Sequence, residues 1–308
     1  MTDVIPVDAS GDQIVLASGA VTLTVVTVGG GMRDLTFGGW HVLDGYSADE
    51  VAPGASGQPL IPWPNRIAEG RYEFGGRAHQ VPITELDRNN ALHGFTRWMT
   101  WDIADRDAST LRLALLLYPR QGYPFALRNE IRYSVTPTGV NVAVSATNVG
   151  RTALPYANGF HPYLSLGTRS IDECLLTVPA TTWLPTDERK IPVARRPVEE
   201  SEHDFRAPRQ IGTTALDVTF TDLARDGDGM ARVRLADADG RRHITVRLDA
   251  AYRYLQVFSG DTLDDRARRR RSLAVEPMTA APNAFRSHDG LRVLQPAQTF
   301  VAEWGIEL

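Results

Sequence analysis

Cysteine is almost absent from this 308-residue chain. The single Cys174 excludes an internal disulfide and any cysteine-based zinc site. Long apolar runs are missing too, and no window approaches the length of a membrane-spanning helix. There is no basic surplus: the formal net charge of −4 argues against a general nucleic-acid binder. The opening residues, Met1-Thr2-Asp3-Val4-Ile5-Pro6-Val7-Asp8, lack the basic and apolar regions of a secretory leader. No Asn-x-Ser/Thr sequon occurs. These absences predict a soluble, cytoplasmic protein. The Gly-x-Ser-x-Gly elbow, the Walker loop and a Gly-x-Gly-x-x-Gly turn after a strand are also missing.

Strand patterns make up most of what is there. Ala20 to Val28 is rich in β-branched residues and ends in Gly29-Gly30-Gly31. Leu35 to Leu43 has a hairpin signal at Gly38-Gly39, and Arg71 to Val81 turns at Gly75-Gly76. Thr110 to Tyr118 reads as a largely buried strand. Ile131, Tyr133 and Val135, then Val140, Val142 and Val144, alternate with polar residues around Pro137-Thr138-Gly139, the pattern of a half-buried meander. Further strands are expected at 231–235, 244–248, 254–258 and 299–306. No segment carries sustained helical periodicity, and Ala180 to Pro208, polar and proline-rich, reads as long surface loops. Short strands punctuated by Gly and Pro predict an all-β sandwich or barrel. With no internal repeat and no linker, one domain over residues 1–308 is expected, a length that all-β folds can span.

Few residues stand out as chemical. His93 lies in Asn90-Ala91-Leu92-His93-Gly94, and His161 in Asn158-Gly159-Phe160-His161-Pro162-Tyr163. Each either ties down a turn or acts on a substrate. No His-x-His or His-x-x-x-His spacing occurs, so no metal is expected. Glu276 follows the apolar Leu273-Ala274-Val275, and Pro277 is expected to end that strand directly after it. A carboxylate so placed is desolvated, which raises its pKa and suits it to act as a base, unless it pairs with an arginine. In Pro62-Trp63-Pro64-Asn65-Arg66, a guanidinium beside an indole suits sugar hydroxyls and a stacked sugar ring, or packs for stability alone. Asp217, alone in an apolar run, points either inward as a hydroxyl acceptor or outward. The basic run Arg266–Arg271 either touches phosphate or, given Asp261, Asp264 and Asp265 just before it, forms a solvated loop.

The ordered blocks Pro64-Asn65-Arg66-Ile67-Ala68-Glu69-Gly70-Arg71-Tyr72, Asn90-Ala91-Leu92-His93-Gly94, Asn158-Gly159-Phe160-His161-Pro162-Tyr163 and Glu276-Pro277-Met278-Thr279 resemble the aldose 1-epimerase (galactose mutarotase) family. The resemblance is sharpest over 57–101, 156–164 and 272–285. It implies a galactose-mutarotase-like β-sandwich (supersandwich) with an open sugar cleft. It also implies interconversion of α and β aldose anomers through the open-chain aldehyde, with no cofactor or metal. By motif match Glu276 takes the base position, His161 the general-acid position, and His93 that of the second histidine near the ring oxygen. Arg66 matches the arginine that binds sugar hydroxyls, with Asn65 and Asp217 in the substrate-binding set. Two departures stand: Val218 occupies a place where a second polar residue is common, and the arginine-rich insert precedes Leu273.

The expected partner is a small-molecule sugar, with neither nucleic acid nor membrane, for a monomer or homodimer. A hexose such as glucose or galactose leads. The alternatives are a phosphorylated hexose and a non-catalytic sugar binder on the same scaffold. A glycoside hydrolase would need two opposed carboxylates, and only Glu276 is a strong one.

Overall fold

A computed structural model describes residues 7–308, so Met1–Pro6, on which the leader reading partly rests, lies outside the described residues. Two large antiparallel sheets form the body. The first has nine strands, in the order 102–106, 110–117, 127–136, 139–148, 299–307, 243–248, 231–236, 175–177 and 209–210. Its central strands show the expected alternation: Leu127, Ile131, Tyr133 and Val135 are buried, as are Val140, Val142 and Val144 across from them. A period of two places all of these side chains on one face, toward the core.

The second sheet has eight strands. Its main path runs 196–197, 180–184, 217–223, 254–258, 273–278, 159–160 and 59–60, with Tyr163–Leu164 also pairing to Leu273–Met278. The two sheets meet through side chains such as Phe160 and Trp304, whose rings lie 5.1 Å apart. Both rings are fully buried, each contributing roughly 1.5–3 kcal/mol of transfer free energy. This is the sandwich expected from the strand spacing. A four-stranded sheet over 13–41 supplies further core residues, among them Leu23, Val25 and Leu35. The only α-helix among the described residues is Ala284–Ser287, and none is long and apolar enough to cross a membrane.

Two expectations need correction. Thr110–Leu117 is half-buried: Leu111, Leu113, Leu115 and Leu117 face the core, while Arg112 is exposed. Ala180 to Pro208 is not merely surface loop. Ala180–Leu184 is a strand of the eight-stranded sheet, and Val198 and Phe205 are core residues. Polar composition hid these anchors, because one buried residue every several positions leaves no periodic signal.

Candidate active site

Glu276 is placed by strand register. Thr219, Gln256 and Glu276 are direct partners across three neighbouring strands of the eight-stranded sheet. Side chains at paired positions share a face, so a row of polar groups crosses a sheet whose other face is apolar. Gln256 accepts the Thr219 hydroxyl proton on Oε1 and donates from Nε2 to Asp217 Oδ1 at 2.7 Å. Glu276 is the only Asp or Glu among the described residues that is buried, at 2% exposure.

Pro277 does not end the strand, which runs on to Met278. The Val275 N–H donates to Pro162 O, so residue 277, of the same parity, turns its missing N–H to that same side. There the neighbouring strand is broken between Phe160 and Tyr163, so a donor is not required. The break lets the buried His161 side chain project beside Glu276. His161 Nε2 lies 3.3 Å from Glu276 Oε1.

His161 is held by its own backbone, its N–H donating to Gln58 O and its carbonyl accepting from Gly57. The ring stacks on Tyr163 at 4.9 Å and meets His93 edge-on at 5.3 Å. Gly159, two residues before, runs so close to the next strand that a Cβ would lie 2.8 Å from Pro277 O. Asn158 and Thr279 lock the same crossing, with the Asn158 N–H donating to the Thr279 hydroxyl and the Thr279 N–H to Asn158 O.

His93 is set by a different device. Arg66–Ala68 pairs with Asn90–Leu92, and both Asn65 and His93, at the ends of that pairing, are left-handed, with φ of 55° and 61°. Such conformations cost of order 1–3 kcal/mol in a non-glycine residue and persist where the surroundings impose them. Here the two residues impose on each other: His93 N–H donates to Asn65 O, and Asn65 N–H donates to His93 Nδ1 at 3.1 Å. Because Nδ1 accepts, the neutral ring carries its proton on Nε2. Next to it, Gly94 has φ +68°, and a Cβ there would sit 2.0 Å from Ile61 O.

A cleft of about 810 Å³ opens above this pair of histidines, and its walls include Asn65, Arg66, Tyr163, Asp217 and Phe258. The structure therefore brings Glu276, His161, His93, Arg66, Asn65 and Asp217 together around one space. Arg66 makes a two-pronged ion pair with Glu85, both bonds at 2.8 Å, and Asp217 pairs with Lys190 at 3.0 Å. The Arg66 backbone is held from the 272–285 stretch, where Asn283 N–H donates to Arg66 O.

Trp63 is not a sugar platform. It is buried edge-on to Phe95 and Phe285, at 4.8 and 5.6 Å, and the aromatic walls of the cleft are Tyr163 and Phe258 instead. The basic run lies in a largely exposed loop, as expected, but two of its arginines are anchored. Arg268 reaches Asp44, Glu50 and Asp265, and Arg270 binds Asp172 and Asp261. Only Arg268 of the run lines the cleft.

Sequence reasoning missed three wall residues. Gln256 could have been found as the lone polar position in Tyr254–Phe258. Glu85 and Arg97 carried no local signal. Arg97 lies over the Trp98 ring at 3.9 Å and is the one cleft arginine without a carboxylate partner among the described residues.

Burial governs the electrostatics. Desolvation, with the Asp217 charge adding to it and Arg66 opposing, pushes the Glu276 carboxyl well above its ordinary range. Glu276 Oε2 is buried with no hydrogen-bond partner among the described residues, so only the Arg66 charge works against that penalty. Burial lowers His161 to about 3, and the Arg97 charge acts in the same direction. His93 is driven well below its usual value by burial, then by His161, Arg97 and Arg66. Burial would lower Arg66 as well, but its Glu85 bonds reverse that and keep it charged.

Ligand-capable atoms of His93, His161 and Glu276 all lie within 4.8 Å of one another. This set does not fit a divalent metal. The Asn65 N–H occupies His93 Nδ1, leaving a protonated Nε2 where a lone pair would be needed. What the trio can do is move protons: a buried acid–imidazole pair shares one, and a second imidazole offers a fixed N–H.

A sequence profile for the family described as aldose 1-epimerase matches residues 12–307. Among curated proteins, the uncharacterised protein YihR of Escherichia coli (strain K12) is 37% identical over 287 residues, 93% of this chain and 90% of its own length. The galactose mutarotase of Mus musculus is 29% identical over 160 residues, 50% of this chain and 46% of its own. Among solved structures, the GalM/aldose epimerase homologue from C. elegans superposes with a TM-score of 0.86 at 18% identity, covering 96% of this chain and 98% of its own. The galactose 1-epimerase from Lactobacillus acidophilus gives 0.79 at 19%, covering 96% and 93%. These superpositions bear out the galactose-mutarotase-like fold.

Proposed function

This chain belongs to the aldose 1-epimerase family of isomerases, and on that premise we propose that it interconverts the α and β anomers of an aldohexose such as glucose or galactose. The observation that carries the reading is the buried Glu276–His161 pair, 3.3 Å apart at the floor of the cleft, with His93 beside it. Glu276 takes the proton of the C1 hydroxyl, and His161 protonates the ring oxygen as the C1–O5 bond breaks. His93 donates Nε2–H to that same oxygen. After rotation about C1–C2 the transfers reverse and the ring closes on the other face.

The electrostatics favour the pair's one proton on Glu276 at rest, so it passes to His161 before the ring opens. Ring opening starts from carboxylate and imidazolium and leaves carboxylic acid and neutral imidazole. Burial disfavours both charges of the starting pair, so the site is most comfortable in the protonation state that accompanies the open-chain aldehyde. One proton serves both directions and no outside donor is needed. Arg66 and Asp217 hold sugar hydroxyls, Asn65 keeps His93 in place, and one cytoplasmic domain spans the chain.

The test is polarimetry of freshly dissolved α-D-glucose and α-D-galactose, with the spontaneous rate subtracted. Acceleration by the wild type and its loss in Glu276→Gln supports the reading. Equal acceleration by both proteins refutes it. A second reading, a phosphorylated hexose as substrate, has one observation in its favour: Arg97 lines the cleft without a carboxylate partner among the described residues. A higher kcat/KM for glucose 6-phosphate than for glucose, lost in Arg97→Met, would select it.

A further inference from the structure

Of the 33 basic residues in the chain 32 are arginine, and the one lysine is Lys190. Its ammonium lies 3.0 Å from Oδ2 of Asp217, a wall residue of the cleft. The other oxygen, Oδ1, accepts from Gln256 Nε2 at 2.7 Å. The carboxylate is therefore held on both oxygens, and each keeps a lone pair for a hydroxyl.

The backbone has no need of a lysine there. Lys190 occupies the left-handed position of the tight turn 187–191, with φ of 62°, where glycine or asparagine is under less strain. Asp187 builds that turn by itself. Its Oδ1 accepts from the Arg189 and Ile191 N–H groups, at 3.0 and 2.9 Å, and its carbonyl accepts from the Lys190 N–H. Stability is a weak reason as well, because both partners of the ion pair are part-exposed, at 34% and 25%, and such pairs contribute little. A strained residue whose side chain reaches a ligand-binding carboxylate is placed for what it reaches.

The turn is also fastened to the far side of the site. Arg189 donates from Nε to Arg88 O and from Nη2 to Asn89 O, and its own carbonyl accepts from Asn90 Nδ2. The same Asn90 amide donates to Glu85 Oε2, the carboxylate that holds Arg66. Arg66 and Asp217 are thus each held by an opposite charge, and the two holding segments are bonded to each other. Glu276 itself is faced by Asp217, Arg66, His161, His93 and Tyr163, of which Asp217 is the one carboxylate.

We propose that Lys190 is a positioning residue of the site: it keeps the Asp217 carboxylate aimed at a sugar hydroxyl and screens its charge from Glu276 and His161. This rests on the mutarotase reading above.

The experiment measures mutarotation of glucose and galactose, and melting temperature, in wild type, Lys190→Met, Lys190→Gly and Lys190→Arg. KM should rise about fivefold or more in the Met and Gly variants, the equivalent of one hydrogen bond weakened, with kcat within about threefold. Both limbs of the kcat/KM pH profile should move upward in Lys190→Met, because the Asp217 charge then acts unscreened on Glu276 and His161. Lys190→Arg keeps the charge and should return both limbs to their wild-type positions. Lys190→Gly should melt no lower than wild type, since glycine takes the left-handed turn without strain. Unchanged KM and an unmoved pH profile in Lys190→Met overturn the inference and leave the mutarotase reading intact. A KM rise with an unmoved profile and a lowered melting temperature, the mark of a loop that has merely loosened, overturns it as well. Wild type inactive on both sugars removes the mutarotase reading and this one with it.

Discussion

Replacing Glu276 with Gln should make the protein far slower and, above acid pH, more stable. The carboxyl is 2% exposed, has an unpartnered oxygen and faces an imidazole at 3.3 Å, so its charged form is poorly solvated. Its folded pKa stands well above the unfolded value of 4.5. The folded state therefore binds this proton more tightly than the unfolded chain does. That contribution to stability is complete below pH 4.5 and is lost as pH rises through the folded pKa. The loss is about 1.4 kcal/mol per pH unit across that window. An unfolding entropy of about 2.1 cal/mol/K per residue makes this roughly 2 °C of Tm per pH unit for a chain of this length. Gln keeps the shape and does not titrate. The Tm advantage of Glu276→Gln over wild type should thus grow from pH 4.5 upward, while kcat falls about 10²–10⁴-fold with the base gone. Calorimetric or fluorescence melts from pH 4 to 9, paired with polarimetry on the same samples, provide both readouts. A Tm difference that is flat or shrinks with rising pH would refute the desolvated-carboxyl argument. A mutant with more than about a tenth of wild-type kcat would remove Glu276 from the base position.

Other outcomes follow from the same geometry. The pH profile of kcat/KM should be bell-shaped, the active form holding one proton on the Glu276–His161 pair. Its acid limb should lie far below the ordinary histidine value of 6.5, toward the lowered His161 pKa of about 3, and its alkaline limb should follow the raised Glu276 pKa. An acid limb at 6.5 would contradict the burial argument. Arg97→Met removes a charge that lowers both histidines, so the acid limb should move upward in pH, and no movement would mean that the charge is screened. Gly94→Ala, with its Cβ 2.0 Å from Ile61 O at φ +68°, should destabilise the protein by more than about 1 kcal/mol and displace His93. Unchanged melts and activity would show that this turn is softer than its contacts imply.

The parts of this molecule that could be read from sequence are those whose cause is local. Period-two alternation in 131–144 marked the half-buried meander, and the apolar run before Glu276 marked a carboxyl heading into low dielectric. The clustering of Glu276, His161, His93 and Arg66 came from the order of the motifs rather than from any of them alone. The misreadings at Pro277, Trp63 and Arg270 share one source: they turned on a partner distant in sequence. Pro277 is tolerated inside its strand because the neighbouring strand breaks at His161–Pro162, more than a hundred positions away. Trp63 is core because Phe285 covers it, and Arg270 is tied down because Asp172 lies beside it. Asp261 and Asp265 lie just before the run, but nothing in Arg266–Arg271 could announce Asp172. The same long-range pairing makes the site rigid. Asn283 holds Arg66, Thr279 holds Asn158, and Asn65 holds His93, so each of these cleft segments is fastened by a residue from a different stretch of the chain. A site built this way holds a carboxyl and two imidazoles desolvated and close together, against their own solvation preferences, because relaxing any of these segments breaks hydrogen bonds to another.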